Sequence, residues 1–150
     1  MSYVRIWIHA VFSTKNREPL LDKANRLLLC KHIKENCEQK GIYIDHIGGY
    51  SDHIHVLLSL SKTQNIADTM QQIKGESSFW INKEGLLKEK LQWQDDYFAV
   101  SVSQSHVDRV RKYIAGQEAH HSKKIFAQEV NEFMQKYGWQ YIKDKEEMQG

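Results

Sequence analysis

The hydrophobic pattern of the chain switches repeatedly between a period of two residues and the longer period of a helix. Alternation begins at once, in a first predicted strand whose more apolar face carries Val4, Ile6, Ile8, Ala10 and Phe12. It returns in residues 42–47, 53–60 and 97–102, each of which is therefore predicted to be a β-strand. In the third strand, alternation places Ile54, Val56, Leu58 and Leu60 on one face and His53, His55, Leu57 and Ser59 on the other.

Two helices are predicted between these strands, and each begins at a side chain that can cap a first turn. Asp22 is predicted to cap the first helix, which ends at Gly41, and Asn65 is predicted to cap the second. Residues 48–52, GGYSD, predict a turn between the second and third strands. The apolar positions at helical spacing are Leu27, Leu28, Ile33 and Cys37 in the first helix and Ile66, Met70, Ile73, Phe79 and Trp80 in the second.

Helical periodicity also follows the fourth strand. Ser105 and Asp108 predict the start of a third helix, with Val107, Val110 and Ile114 on its buried face. A last helix, with Phe126, Val130, Phe133 and Tyr137, is predicted to stop at Gly138, and residues 141–150 read as a charged, solvated tail.

The resulting order β-α-β-β-α-β is the split βαβ pattern of ferredoxin-like α+β domains. In such a domain an antiparallel sheet carries both crossover helices on one face, and here additional C-terminal helices follow. We therefore predict one domain over residues 1–140, with the second face of the sheet available to a ligand. The length of 150 residues suits a single domain of this kind.

Composition narrows the class of protein only slightly. The formal net charge is +2, which is too small to identify a nucleic-acid binder by itself. The sequence contains no apolar run near the roughly 18 residues of a membrane span and no apparent signal peptide, so a cytoplasmic location is expected. Cys30 and Cys37 lie seven residues apart on a predicted helix, about 10 Å between their Cα atoms, which is too far for a disulfide.

His53 and His55 are the first candidates for chemistry. They project from the same side of one strand with their Cα atoms about 6 to 7 Å apart, which suits two ligands of one metal ion. Such a pair is a weak motif alone, because two histidines on a half-exposed strand have the same spacing. The strongly apolar opposite face belongs to the core, so both histidines are expected on the face without helices.

Tyr113 and Gln117 form the second candidate group, because one helical turn separates them and they project from the same side. Across residues 105–124 five basic side chains oppose two acidic ones, which gives a local net charge of +3. The basic residues are Arg109, Arg111, Lys112, Lys123 and Lys124. A basic helix that presents a phenol is suited to a phosphodiester, because the cations neutralise the phosphate. A solvated amphipathic helix face is the alternative.

The motif DHIHVLL at residues 52–58, followed by Tyr113 and Gln117, resembles the IS200/IS605-type transposases, the single-tyrosine branch of the HUH endonucleases. The resemblance runs from the first strand to the helix of Tyr113. It implies a metal-dependent enzyme that cleaves and rejoins single-stranded DNA at hairpin-bearing ends through a covalent 5′-phosphotyrosine intermediate. It also implies a homodimer in which the tyrosine helix of one subunit can complete the metal site of the other.

Carried over by position, the resemblance assigns Tyr113 as the nucleophile and His53, His55 and Gln117 as metal ligands, with Asp52 assisting. Two nitrogen donors and one oxygen donor favour Mg²⁺ or Mn²⁺, and zinc stays open. The chain has no G-x-x-x-x-G-K-[ST] loop, so no nucleoside triphosphate is implied.

The predicted DNA-binding residues are Arg5, Trp7, Arg109, Arg111, Lys112, Lys123 and Lys124. Trp7 shares a face of the first strand with Arg5 and His9, where it is expected to stack a base; a dimer contact or a second core is the alternative. Two other classes of protein stay open. One is a non-catalytic single-stranded nucleic-acid-binding module of ferredoxin-like fold, although the RNP signature is absent. The other is a histidine-metal hydrolase, which would not need Tyr113.

Overall fold

A computed structural model describes residues 1–117 of the chain together with residues 119, 128, 131, 132 and 135. The chain divides between Gln117 and Glu118 into two units, and the fold given below is that of the first. The predicted last helix, the basic residues Lys123 and Lys124 and the predicted tail at 141–150 lie outside the described residues. A single domain that continues to residue 140 therefore stays a prediction.

One four-stranded sheet forms the centre of the first unit, with the order β2-β3-β1-β4 and every neighbouring pair antiparallel. The strands are β1 (Ile6–Ser13), β2 (Tyr43–Tyr50), β3 (His53–Leu60) and β4 (Phe98–Val102). The helices are α1 (Lys23–Gln39), α2 (Ile66–Glu84) and α3 (Val107–Ala115), with short 3₁₀ turns at Lys15–Arg17 and Gln104–His106. This order and topology confirm the predicted ferredoxin-like α+β fold.

The caps of the first two helices are confirmed. The Asp22 carboxylate accepts a hydrogen bond from the backbone N–H of Asn25 at 3.0 Å, and the Asn65 side chain accepts one from the N–H of Asp68 at 2.9 Å. The predicted cap of α3 is wrong. Ser105 lies inside the 3₁₀ turn, and His106 occupies the position before α3 without a capping hydrogen bond from its side chain. No helix in the described part of the chain has the length and apolar character to cross a membrane.

The main core lies between one face of the sheet and the apolar sides of α1 and α2. Ile54, Val56 and Leu58 of β3 are fully buried there, as their alternation predicted. The predicted stripe of α1 is wrong at Leu27 and Leu28, which are 60% and 47% exposed. The buried positions of α1 are Arg26, Leu29, Cys30, Ile33 and Cys37, whose spacings of three and four residues keep them on one side of the helix.

Strand β2 is longer than predicted because it contains a bulge. Its pairing with β3 shifts between Ile44 and His46, so Asp45 is an extra residue and the alternation of side chains is inverted after it. Residues 48–50 continue the strand, and the predicted five-residue turn is reduced to residues 51 and 52. After the bulge, Gly48 pairs with His55 and lies on the same face of the sheet.

The expectation that this second face is open is wrong, because α3 packs across β2 and β3. Val107, Val110 and Ile114 of α3 are buried, as predicted. A Cβ atom on Gly48 would lie only 3.0 Å from the backbone oxygen of Ile114, so glycine lets the helix approach the strand closely. The two histidines of β3 are therefore buried beneath a helix.

Candidate active site

His53 begins β3 directly after the turn, and its ring is fixed by the residue before it. The Nδ1 atom of His53 lies 2.7 Å from Oδ1 of Asp52. Because a carboxylate accepts, the ring nitrogen donates, and in a neutral ring the lone pair is then on Nε2. The family resemblance implied an assisting role for Asp52, and its contact with His53 is consistent with that role.

Gln117 lies next to the Nε2 atom of that same ring. Its Oε1 atom is 3.2 Å from Nε2 of His53, while its Nε2 donates to the backbone oxygen of Tyr113 at 3.3 Å. The hydrogen bond to the backbone oxygen of Tyr113 directs the amide oxygen of Gln117 toward His53. Gln117 is buried, although most glutamines lie at the surface. The structure thus brings Gln117 and His53 together, as the family resemblance implied.

His55 and Tyr113 meet around a third histidine that the sequence analysis did not assign. Nε2 of His9, on β1, is 2.9 Å from Nδ1 of His55, and the two rings stack with centroids 5.1 Å apart. The Tyr113 ring presents an edge contact to both, with centroid distances of 5.9 Å to His9 and 5.5 Å to His55. The signal was present in the sequence, because alternation puts His9 on the histidine face and the split βαβ topology makes β1 the neighbour of β3.

The donor set fits a divalent cation. In the described residues no group of three His, Cys, Asp or Glu side chains is arranged to hold a metal ion. A site built on His53 and His55 would take the amide oxygen of Gln117 as its third donor. The Nδ1 atoms of His53 and His55 both contact neighbouring side chains, so Nε2 is the nitrogen each ring would offer to a metal.

Arg111, predicted to contact DNA, binds two carboxylates in this structure. Its Nε and Nη2 atoms donate to Asp45 at 2.7 and 2.8 Å, and Nη1 donates to Asp108 at 2.8 Å. The paired guanidinium lowers the pKa of Asp45 to about 2. Arg111 therefore attaches α3 to the bulge of β2, and Arg109 and Lys112 are the exposed cations of the helix.

Trp7 occupies a packed position instead of an exposed stacking surface. It is 7% exposed, and its indole Nε1 donates to the side-chain oxygen of Gln104 at 2.8 Å. The Arg5 guanidinium lies 5.4 Å from the Trp7 ring centroid and 5.6 Å from that of Tyr43. The predicted stacking of a base on Trp7 does not match this burial, which agrees with the alternative of a second small core.

The residues of α3 contact the histidines of their own chain. Tyr113 and Gln117 reach His55 and His53 without a second subunit. The Ser103–Gln104 connection is short, and the ion pair of Arg111 with Asp45 holds the helix on its own sheet. In this chain α3 thus lies on its own sheet, and its exchange with a partner subunit stays a prediction.

A ferredoxin-like sheet whose central histidine pair faces a tyrosine on a covering helix has the architecture expected of a single-tyrosine DNA transposase. A family model described as "Transposase IS200 like" matches residues 2–117, and the chain belongs to this family. The resemblance inferred from the two motifs is therefore confirmed, and the chain is a transposase, a DNA-processing enzyme. This membership favours the transposase over a non-catalytic binding module.

Individual relatives agree with the family assignment. The ISDra2 transposase TnpA of Deinococcus radiodurans is 28% identical over 116 residues, which cover 73% of this chain and 81% of the relative. A crystal structure from Deinococcus radiodurans R1, described as a candidate transposase, superposes with a TM-score of 0.64 at 23% identity, covering 78% of this chain and 95% of the other. A REP-associated tyrosine transposase bound to a REP hairpin gives 0.60 at 15% identity, with 81% and 72% covered. At these identities the two structures show a shared fold.

Proposed function

We propose that this transposase cleaves and rejoins single-stranded DNA at hairpin-bearing ends, with Tyr113 as its nucleophile. The observation that carries the proposal is the position of the Tyr113 ring, in edge contact with His9 and His55 beside His53 and Gln117, whose Nε2 and Oε1 atoms lie 3.2 Å apart. The relative that binds a REP hairpin supports hairpin DNA as the substrate.

His53, His55 and Gln117 would hold a divalent ion, Mg²⁺ or Mn²⁺. When bound, such an ion polarises the scissile phosphate and stabilises the charge of the displacement. Asp52 and the backbone oxygen of Tyr113 orient two of these ligands, His53 and Gln117, through the hydrogen bonds described above.

Tyr113 would attack the phosphorus of one phosphodiester, forming a bond between phosphorus and the phenol oxygen. The bond from phosphorus to the 3′ oxygen breaks, that oxygen takes up a proton, and the phenol loses its own. The product is a 5′-phosphotyrosine and a free 3′ hydroxyl. Because the phosphodiester energy is conserved, attack by a 3′ hydroxyl reverses the step and rejoins the strand without a nucleoside triphosphate. Arg109 and Lys112, exposed on the same helix, would neutralise the DNA backbone.

The decisive experiment uses single-stranded DNA from the genomic flanks of the element, labelled separately at each end. With Mn²⁺ the wild type should produce a protein adduct that carries the 3′ label, whereas Tyr113→Phe should bind the DNA but form no adduct. Tyr97→Phe, at a partly exposed tyrosine on another part of the surface, is the matched control and should keep full activity. Removing the metal with a chelator should abolish the adduct.

Each of the other outcomes would indicate a different mechanism or a different class of protein. Cleavage by Tyr113→Phe would indicate the histidine-metal hydrolase, and an adduct with the 5′ label would reverse the polarity. Binding without cleavage by the wild type would indicate a non-catalytic module. The homodimer is proposed from the family resemblance, and mixing Tyr113→Phe with His55→Ala tests a shared site: recovered cleavage requires exchange of α3 between subunits.

A further inference from the structure

His9 lies at the centre of the site, yet none of the proposed chemical steps uses it. It is on the middle of β1, where its Cα pairs with Leu57 of β3 on one side and Val100 of β4 on the other. The ring is 1% exposed, and it contacts both a proposed metal ligand and the proposed nucleophile. Strand pairing on both sides and nearly complete burial leave the His9 ring few possible orientations.

The contact between His9 and His55 has a consequence for the tautomer of His55. In a neutral imidazole one ring nitrogen carries hydrogen and the other accepts. If Nδ1 of His55 accepted from His9, its Nε2 would carry the hydrogen and have no lone pair for a metal. If Nδ1 of His55 donates to Nε2 of His9, the Nε2 lone pair of His55 is available.

We propose that His9 is a positioning residue that accepts the Nδ1 hydrogen of His55 and so keeps Nε2 of His55 ready to bind the metal ion. The proposal rests on the metal site of the proposed function. It gives the two ligands equivalent supports, since Asp52 accepts from Nδ1 of His53 and His9 accepts from Nδ1 of His55.

The two accepting residues differ in type, Asp52 for His53 and His9 for His55, because they differ in burial. The side chain of Asp52 is 22% exposed, so water can solvate its charge. At the position of His9, burial is nearly complete, and an ionised carboxylate there would lose its hydration. A neutral imidazole can accept the same hydrogen bond without a buried charge. Its flat ring also packs against the edge of Tyr113 and limits where the phenol can move.

The test compares two substitutions that separate hydrogen bonding from packing. His9→Phe keeps an aromatic ring but has no acceptor, whereas His9→Gln offers an amide oxygen near the position of Nε2. Titration with Mn²⁺ by calorimetry, without DNA, should show about 10- to 100-fold weaker binding for His9→Phe. His9→Gln should stay within about threefold of the wild type. His32→Phe, on α1, is the control for a histidine lost elsewhere and should bind Mn²⁺ normally.

A second readout does not depend on any variant or on metal. Nitrogen-15 NMR of the metal-free wild type should show hydrogen on Nδ1 of His55 and a lone pair on Nε2. Hydrogen on Nε2 of His55, or unchanged Mn²⁺ affinity in a folded His9→Phe, would overturn the proposal. If the wild type binds no Mn²⁺, the proposed metal site fails, and the NMR spectrum alone then decides the role of His9.

Discussion

Replacing Asp45 with Asn tests how the tyrosine helix is held on the sheet. The Asp45 side chain is 8% exposed and accepts two hydrogen bonds from Arg111. This pairing lowers the pKa of Asp45 from 3.8 to about 2, which corresponds to about 2 kcal/mol of stabilisation. Because the Arg111 side chain is 36% exposed, solvent screens part of the attraction, and we expect a loss of about 1 to 2 kcal/mol in Asp45→Asn.

The assay is urea unfolding at pH 7 and low salt, followed by tryptophan fluorescence. Asp108→Asn is the matched control, since Asp108 accepts from the same guanidinium but is 84% exposed. It should lose less than about 0.5 kcal/mol. Equal losses in the two variants, or no loss in Asp45→Asn, would refute the conclusion that Asp45 is the main anchor of α3. Adduct formation should fall in Asp45→Asn, because Tyr113 and Gln117 are carried by the same helix.

The contribution of Asp45 also has a defined pH dependence. Because the folded protein holds the pKa below that of the unfolded chain, the stabilisation is complete above about pH 4 and is lost as the pH falls toward about 2. The difference in unfolding free energy between the wild type and Asp45→Asn should therefore shrink across this interval. A difference that stays constant would mean that the ion pair is not its source.

Three further predictions concern packing, capping and thiol reactivity. Gly48→Ala should lower the free energy of unfolding by about 1 to 3 kcal/mol and reduce adduct formation, because its Cβ would press against α3. Gly75→Ala, with open space around it in α2, should raise the free energy of unfolding by about 0.5 to 1 kcal/mol. An unchanged stability in Gly48→Ala would argue against the close approach of α3. Asp22→Ala should lower stability by about 1 kcal/mol in the same assay, and no change would mean that the cap contributes little. Burial raises the pKa of Cys30 to about 12 and of Cys37 to about 11. A thiol reagent at pH 8 should therefore label both thiols only after unfolding. Rapid labelling of the native protein would contradict this.

The parts of the fold that were predicted correctly are those determined by local pattern. Strict alternation predicted β3 as His53–Leu60 without error, and Asp22 and Asn65 marked two helix starts because each caps through its own side chain. Each of these signals is contained within a few neighbouring residues. The meeting of Gln117 with His53 was instead implied by the family resemblance.

The features that were missed depend on residues far apart in the chain. The covered histidine face results from Gly48 and from the pairing of Asp45 with Arg111, which are 66 residues apart. Alternation and topology place His9 on the histidine face, but its contact with His55, 46 residues away, depends on the register of β1 against β3. Residue type and local period do not give such long-range relations, so the buried site could be listed by residue but not assembled from the sequence.

The bulge at Asp45 determines how the length of β2 can vary. Deleting Asp45 alone would restore regular pairing and leave every following residue opposite the same partner, because His46 already pairs with Leu57. Ile47 would stay opposite Val56, and Gly48 would stay opposite His55 beneath α3. Deleting a residue from the regular part of the strand would instead move the residues on one side of the deletion to the opposite face. A homologous strand that is one residue shorter at the bulge can therefore keep the histidine face, although it loses the carboxylate that binds Arg111.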